Sequence, residues 1–95
     1  VHHLIDADQY IVVKAANATA FQLGFNPARI KDALLNIRRA DFSKSEPDRR
    51  DKGKWQDTYK PCYDGIHLYI KWKLIEMNGE CLLVLSFKEN TDEGI

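Results

Sequence analysis

Two stretches of strand character dominate the second half of the chain, Ile66–Met77, which alternates apolar and polar as far as Leu74, and Cys81–Glu89, with Asn78-Gly79 between them. Alternation with a period of two is the signature of a β-strand with unlike faces. Asn-Gly favours a two-residue type I′ hairpin turn, because both central positions need positive φ. That turn sets a register in which Met77 faces Glu80. Lys73 then faces Val84, Lys71 faces Ser86 and Tyr69 faces Lys88, on a face shared with Ile75 and Leu82. On the opposite face Leu74 meets Leu83, Trp72 meets Leu85 and Ile70 meets Phe87. This second set is wholly apolar and is expected to be the core side. The first set becomes polar away from the turn, where Tyr69 and Lys88 are expected with Cβ atoms roughly 5 Å apart.

The first half has a different period. Tyr10–Lys14 is a short β-branched run and predicts a strand. Ala15–Leu23 predicts a short helix closed by Gly24. Asn26-Pro27 is a helix start, and Ile30, Ala33, Leu34 and Ile37 follow at helical spacing, so this helix is expected to end near Arg38 or Arg39. Residues 41–45 suit a short strand. Glu46–Gly53 carries Pro, Gly and many charges and reads as an exposed loop. Lys54–Pro61 reads as extended, with Trp55, Trp72 and Tyr59 as packing residues. Asn90–Ile95 is a polar tail expected to fray. Helices first and strands afterwards predict an α+β domain, its N-terminal helices packed on one face of a twisted, mainly antiparallel β-sheet.

Composition narrows the class. The chain has 95 residues, 44% of them hydrophobic and 29% charged, which fits one soluble globular domain over 1–95 and argues against disorder. No run reaches the roughly 18 apolar residues of a membrane span, and no signal peptide is visible. The first residue is Val, as expected of a trimmed or partial chain. Two cysteines, Cys62 and Cys81, and three histidines predict reduced thiols in a cytoplasmic protein, with no metal and no cofactor. Basic and acidic residues balance at 14 each, which by itself weakens a nucleic-acid reading. Their distribution matters more. Residues 38–73 hold ten basic and six acidic groups, whereas residues 74–95 hold one and five. The middle of the chain thus offers a local site for an anion within a neutral whole.

A phenol and ammonium groups fixed on a rigid sheet suit phosphate chemistry. Metal-free RNA cleavage needs a base for the 2′-OH, an acid for the leaving 5′-oxygen, and cations for the charged phosphorane. Lysine serves as the base where neighbouring cations lower its pKa from about 10.4. The alternative is a solvated sheet face with lysines placed for solubility, which antiparallel sheets commonly present. His67 shares the parity of Tyr69 and reads as a strand-end surface residue or a second acid–base group.

Four words extend the pattern: Asp41-Phe42-Ser43-Lys44-Ser45, Trp55-Gln56-Asp57-Thr58-Tyr59-Lys60-Pro61, Tyr69-Ile70-Lys71 and Ser86-Phe87-Lys88-Glu89. In order and spacing they resemble the MqsR (motility quorum-sensing regulator) toxin family, from about Leu4 to Glu89 and most clearly after Asp41. The family carries an N-terminal helix before the part similar to Leu4–Gln9, and most of that helix is absent here. The resemblance implies a RelE-like fold and the toxin of a type II toxin–antitoxin system. It implies a sequence-specific mRNA interferase that cuts free mRNA, with a cognate antitoxin as partner in a hetero-oligomer. The family residues tied to activity match Lys44, Gln56, Tyr69 and Lys88. Around them Lys54, Lys60, Lys71, Lys73, Arg49 and Arg50 would hold RNA. By parity Lys44 shares a face with Phe42, which sits awkwardly with a core Phe42. Two other readings stay open: a non-catalytic RNA- or protein-binding module on the same fold, and a ribosome-dependent nuclease of the RelE type. A shared pocket for Lys44, Gln56 and the Tyr69–Lys88 pair would favour the nuclease; separation beyond about 12 Å would exceed the reach of acid–base work.

Overall fold

The structure, a computed structural model, describes residues 1–91 of the chain. The elements run α1 (His2–Asp6), β1 (Tyr10–Val12), α2 (Lys14–Gln22), α3 (Pro27–Leu35), a 3₁₀ turn (Arg39–Asp41), β2 (Phe42–Pro47), β3 (Trp55–Tyr59), β4 (Cys62–Tyr63), β5 (Ile66–Glu76) and β6 (Glu80–Glu89). The sheet is mixed and open, with strand order β1-β6-β5-β3-β2, and the short β4 pairs with β5. β1 runs parallel to β6; the other pairs are antiparallel. The α+β expectation holds at this level.

Local chemistry explains most boundaries. Asn26 caps α3 by accepting from the backbone N–H of Arg29 at 2.8 Å, with Pro27 at the first helical position. α2 stops before Gly24, whose φ of +88° is readily adopted only without a side chain. α3 ends at Leu35, several residues before Arg38. The Asn36 side chain donates to the Asp32 carbonyl at 2.7 Å and closes the last turn, and the Arg38 N–H donates to the Asp41 carboxylate at 2.8 Å to start the 3₁₀ turn. Ile37 still reaches the core, from outside the helix. Three elements have no predicted counterpart: the five-residue α1, the 3₁₀ turn, and β4, which is joined to β5 by Asp64-Gly65, both at positive φ, with Tyr63 opposite Ile66. Asp-Gly is itself a favoured hairpin pair, so that signal was present.

The core joins helices to sheet. Leu4, Ile5, Ala16, Ala20, Phe25, Ile30, Ala33 and Leu34 form one buried cluster with Leu68, Ile70, Trp72, Leu82, Val84 and Phe87. Phe25 packs edge-on against Phe87 with centroids 5.2 Å apart. Each such aliphatic or aromatic side chain contributes about 1.5–3 kcal/mol on burial. Tyr59 packs on Trp72, and Phe42 on Tyr59. Trp55, expected as a packing residue, is instead 56% exposed.

The β5–β6 hairpin departs from its predicted register in a specific way. Asn78 and Gly79 both take positive φ as expected, at +56° and +100°. However, Glu76, not Met77, pairs with Glu80, so the connection has three residues. Near the turn Lys73 therefore faces Leu83, Leu74 faces Leu82 and Trp72 faces Val84. A β-bulge follows between Lys71 and Trp72, with Leu85 as the extra residue on β6. Beyond it Lys71 meets Ser86, Ile70 meets Phe87 and Tyr69 meets Lys88, as predicted. The consequence is an exchange of faces on β6. Leu82 and Val84 are fully buried, while Leu83 and Leu85 line the opposite side. The one-residue shift at the turn makes this exchange, and β1 pairs Tyr10 with Leu82 and Val12 with Val84 on the core side.

Candidate active site on the open sheet face

Four strands place one row of side chains across the face opposite the core. Lys44 pairs with Thr58, Thr58 with Lys71, and Lys71 with Ser86. Directly paired residues share a face, so the row reads Lys44–Thr58–Lys71–Ser86. The conflict between Lys44 and Phe42 is resolved by a second bulge, between Phe42 and Lys44 on β2. It sends Phe42 to the Tyr59 side and leaves Lys44 on the Lys71 side.

One row away from the turn, Tyr69 and Lys88 stand directly opposite each other. The Lys88 ammonium lies 5.0 Å from the centroid of the Tyr69 ring, within cation–π range. One row toward the turn, Glu46 pairs with Gln56 on neighbouring strands, and Lys73 stands opposite Leu83.

An open groove of about 920 Å³ runs over this part of the face, lined by residues that include Glu46, Asp48, Arg49, Arg50, Gln56, Lys71, Lys73, Leu83 and Leu85. Leu85, the bulged residue, also lines a smaller hollow beside Lys88 and α2.

Acidic residues that the sequence reading left in an exposed loop organise the groove. Asp48 is buried, with its side chain only 3% exposed. Its Oδ2 accepts from Lys73 Nζ at 2.6 Å and from Gln56 Nε2 at 3.2 Å. Its Oδ1 accepts from the backbone N–H groups of Arg50 at 2.8 Å and Asp51 at 3.2 Å. The Lys73 ammonium first, and then these other donors, hold the Asp48 carboxyl well below the usual carboxylate range. Glu46 sits between two cations, with its carboxylate oxygens 3.6 Å from Lys44 Nζ and 3.7 Å from Lys71 Nζ. Thr58, between those lysines in the row, is fully buried, and its hydroxyl has no hydrogen-bond partner among the described residues.

The predicted site residues fall into two groups. Gln56, Lys71, Lys73, Arg49 and Arg50 line the groove. Tyr69 and Lys88 form the adjoining pair, and the exposed Lys44 lies at the far side of the row, tied to Glu46. Lys54 and Lys60 are on the strand-end segments and do not line the groove. With strands about 4.8 Å apart and residues rising about 3.4 Å, the Lys44 backbone is about 12 Å from that of Tyr69, and the Gln56 backbone about 14 Å. Lys71 stands between the groups, so the expected shared pocket is not formed: Gln56 lies beyond the reach of about 12 Å from the Tyr69–Lys88 pair and Lys44 at its limit. Asp48, Glu46 and Leu83 went unrecognised. Asp48 had a signal in the sequence, since an Asp followed by Arg-Arg-Asp-Lys-Gly is suited to accept the N–H groups of its own turn.

Comparison with known proteins bears on what such a face serves. The family model described as "Motility quorum-sensing regulator, toxin of MqsA" matches residues 1–89. The chain belongs to the MqsR toxin family. It is similar to the mRNA interferase toxin MqsR of Escherichia coli (strain K12), with 29% identity over 89 residues, 94% of this chain and 87% of that protein. As an MqsR-family chain it keeps its acid–base candidates on strands rather than loops, where packing fixes their directions. Among the described residues no cluster of His, Cys, Asp or Glu is placed to hold a metal ion. No helix among them is long and apolar enough to cross a membrane. Cys62 and Cys81 are free thiols, the first exposed and the second buried.

Proposed function

We propose that this chain is the toxin of a toxin–antitoxin pair and an mRNA interferase, cutting single-stranded mRNA on the open sheet face of a RelE-like fold. Family membership supports the toxin reading, and the relative's name supplies the RNA substrate. The observation that carries the site is the Tyr69–Lys88 pair one row from Lys71, on the same face as Lys44.

The reaction is an internal transesterification. The ribose 2′-oxygen bonds to the adjacent phosphorus, the bond to the 5′-oxygen breaks, and a 2′,3′-cyclic phosphate and a 5′-hydroxyl result. The 2′-OH proton goes to a base and the 5′-oxygen takes a proton from an acid. Lys88 would handle one of these protons. The Tyr69 hydroxyl donates to a phosphate oxygen or the leaving oxygen, or its ring stacks a base. Lys71 and Lys44 offset the charge of the phosphorane. Arg49 and Arg50 at the groove wall, with Lys54 and Lys60 beyond it, hold flanking phosphates. A cognate antitoxin would complete a hetero-oligomer and hold the activity in check in the cytoplasm.

The test is purified protein on a naked mRNA transcript, with cleavage mapped by primer extension, for wild type, Lys88→Ala and Tyr69→Phe. Discrete products from wild type, reduced in both variants, are expected. Products only when ribosomes are added would replace this reading with a ribosome-dependent one. Binding without products would reduce the protein to a binding module.

A further inference from the structure

Asp48 does more than neutralise a lysine. A carboxylate has no proton to donate, so the Gln56 side chain has to turn its amide N–H toward it. The observed bond is indeed from Gln56 Nε2 to Asp48 Oδ2, at 3.2 Å. The carboxylate is itself held in place, because its other oxygen takes two backbone N–H groups and Lys73 Nζ donates to Oδ2 at 2.6 Å. The Asp48 side chain is 3% exposed and that of Lys73 is 14% exposed. Gln56 lines the groove, and its Oε1 carries no hydrogen bond within the described residues. The glutamine is therefore turned so that an acceptor remains for whatever enters. Its backbone lies about 14 Å from Tyr69 on sheet spacing, beyond the reach of the proton transfers there.

We propose that Asp48 is a positioning residue that fixes Gln56 Oε1 as a hydrogen-bond acceptor, and that the groove thereby takes one nucleobase bearing an exocyclic amino group, near the scissile phosphate. Guanine, cytosine and adenine carry such a group, whereas the only ring donor uracil offers is N3–H, flanked by two carbonyl oxygens. Leu83 and Leu85 supply apolar wall for the base, and Lys71 lies between this pocket and the Tyr69–Lys88 pair. The assignment rests on the reading of this face as the RNA-cleaving one.

The experiment uses a short RNA spanning a mapped cleavage site. Each guanosine, cytidine or adenosine is replaced in turn by inosine, pyrimidin-2-one riboside or purine riboside, which lack only the amino group. With wild type, one of these substitutions is expected to slow cleavage by about tenfold or more, as befits an acceptor left unpaired. Asp48→Asn, made together with Lys73→Met so that no ammonium faces the new amide, keeps an oxygen for the two backbone N–H groups and turns its own N–H₂ toward Gln56. Gln56 then has to reverse, so this variant is expected to lose discrimination against that analogue. Adding Gln56→Glu to it, which again presents an oxygen to the groove, is expected to regain it. A merely structural Asp48 would lower all rates together and leave the analogue ratio unchanged. Cleavage by wild type that is indifferent to every analogue overturns the inference, whether or not the variants fold, and so does an unchanged ratio in Asp48→Asn with Lys73→Met. Failure of wild type to cut any RNA overturns the functional reading and this inference with it.

Discussion

Lys88 and Tyr69 face each other across β5 and β6, with the ammonium 5.0 Å from the ring centroid. The pair combines two separable functions, since the ring holds the cation while the hydroxyl stays available as a donor. Lys88→Ala is expected to lower single-turnover RNA cleavage by about 100-fold or more, the usual cost of removing an acid–base group. Tyr69→Phe keeps the ring and is expected to cost less, about tenfold, whereas Tyr69→Ala is expected to approach Lys88→Ala. Rates measured at saturating enzyme, with folding checked by circular dichroism, distinguish these outcomes. Equal activity in all three variants would remove the pair from the chemistry.

Glu46 is an acidic group where RNA phosphate is expected. Its contacts with Lys44 and Lys71, at 3.6 and 3.7 Å, are longer than the 2.7–2.9 Å of a tight charge-assisted hydrogen bond. A phosphate can displace such a partner, but at a cost to binding. Glu46→Gln is therefore expected to bind single-stranded RNA several-fold more tightly at low salt. Releasing two lysines is expected to steepen the plot of log K against log salt by about 0.7 for each phosphate gained. Fluorescence anisotropy with a labelled RNA and the Lys88→Ala background, which avoids cleavage, measures both. Unchanged affinity and slope would show that phosphate does not pass between these lysines.

Asp48 sets a pH dependence of stability. Its carboxyl is held below the usual range in the folded state, chiefly by Lys73, while in the unfolded chain it takes an ordinary value of about 3.9. A depressed folded value means the stabilisation is complete above the unfolded value and is lost as pH falls below it. The difference in melting temperature between wild type and Asp48→Asn is therefore expected to be constant from about pH 7 to pH 5 and to shrink steadily below about pH 4. Thermal melts over that range test it. A difference that grew on acidification would contradict the assigned ion pair.

Thr58 is expected to behave in the opposite sense to most buried residues. Its hydroxyl is buried without a partner among the described residues, and an unsatisfied buried polar group costs about 1–3 kcal/mol. Thr58→Val is expected to stabilise the fold by about 1 kcal/mol, a rise of about 4–8 °C in melting temperature for a domain of this size. A lower melting temperature would indicate that the hydroxyl is satisfied in solution.

The sequence by itself determined what local chemistry controls. Asn26-Pro27 marked the start of α3, Gly24 the end of α2, and strand character marked β5 and β6. Parity and turn chemistry brought Tyr69 opposite Lys88 and Lys71 opposite Ser86, and the quoted words carried the family. The last residues of the predicted tail, 92–95, lie outside the described structure.

Tertiary structure decided what depends on partners distant in the chain. Asn78 and Gly79 took positive φ as predicted, but in a three-residue connection rather than a two-residue one, and this shift put Leu82 and Val84 inward, beside β1, and Leu83 and Leu85 outward. The Leu85 bulge then restored the register before Tyr69 and Lys88. Alternation alone cannot reveal a bulge, because Leu82, Leu83, Val84 and Leu85 are all apolar and suit either face. Likewise the local sequence suits Asp48 to cap its own turn but does not bury it or give it Gln56 and Lys73 as partners. It is buried because β3 lies between β2 and β5, which sets Gln56 and Lys73 within its reach. The Tyr69–Lys88 face on which the chemistry is proposed was thus legible from parity. The groove beside it, and the direction in which Gln56 points, follow from three strands meeting across long stretches of chain.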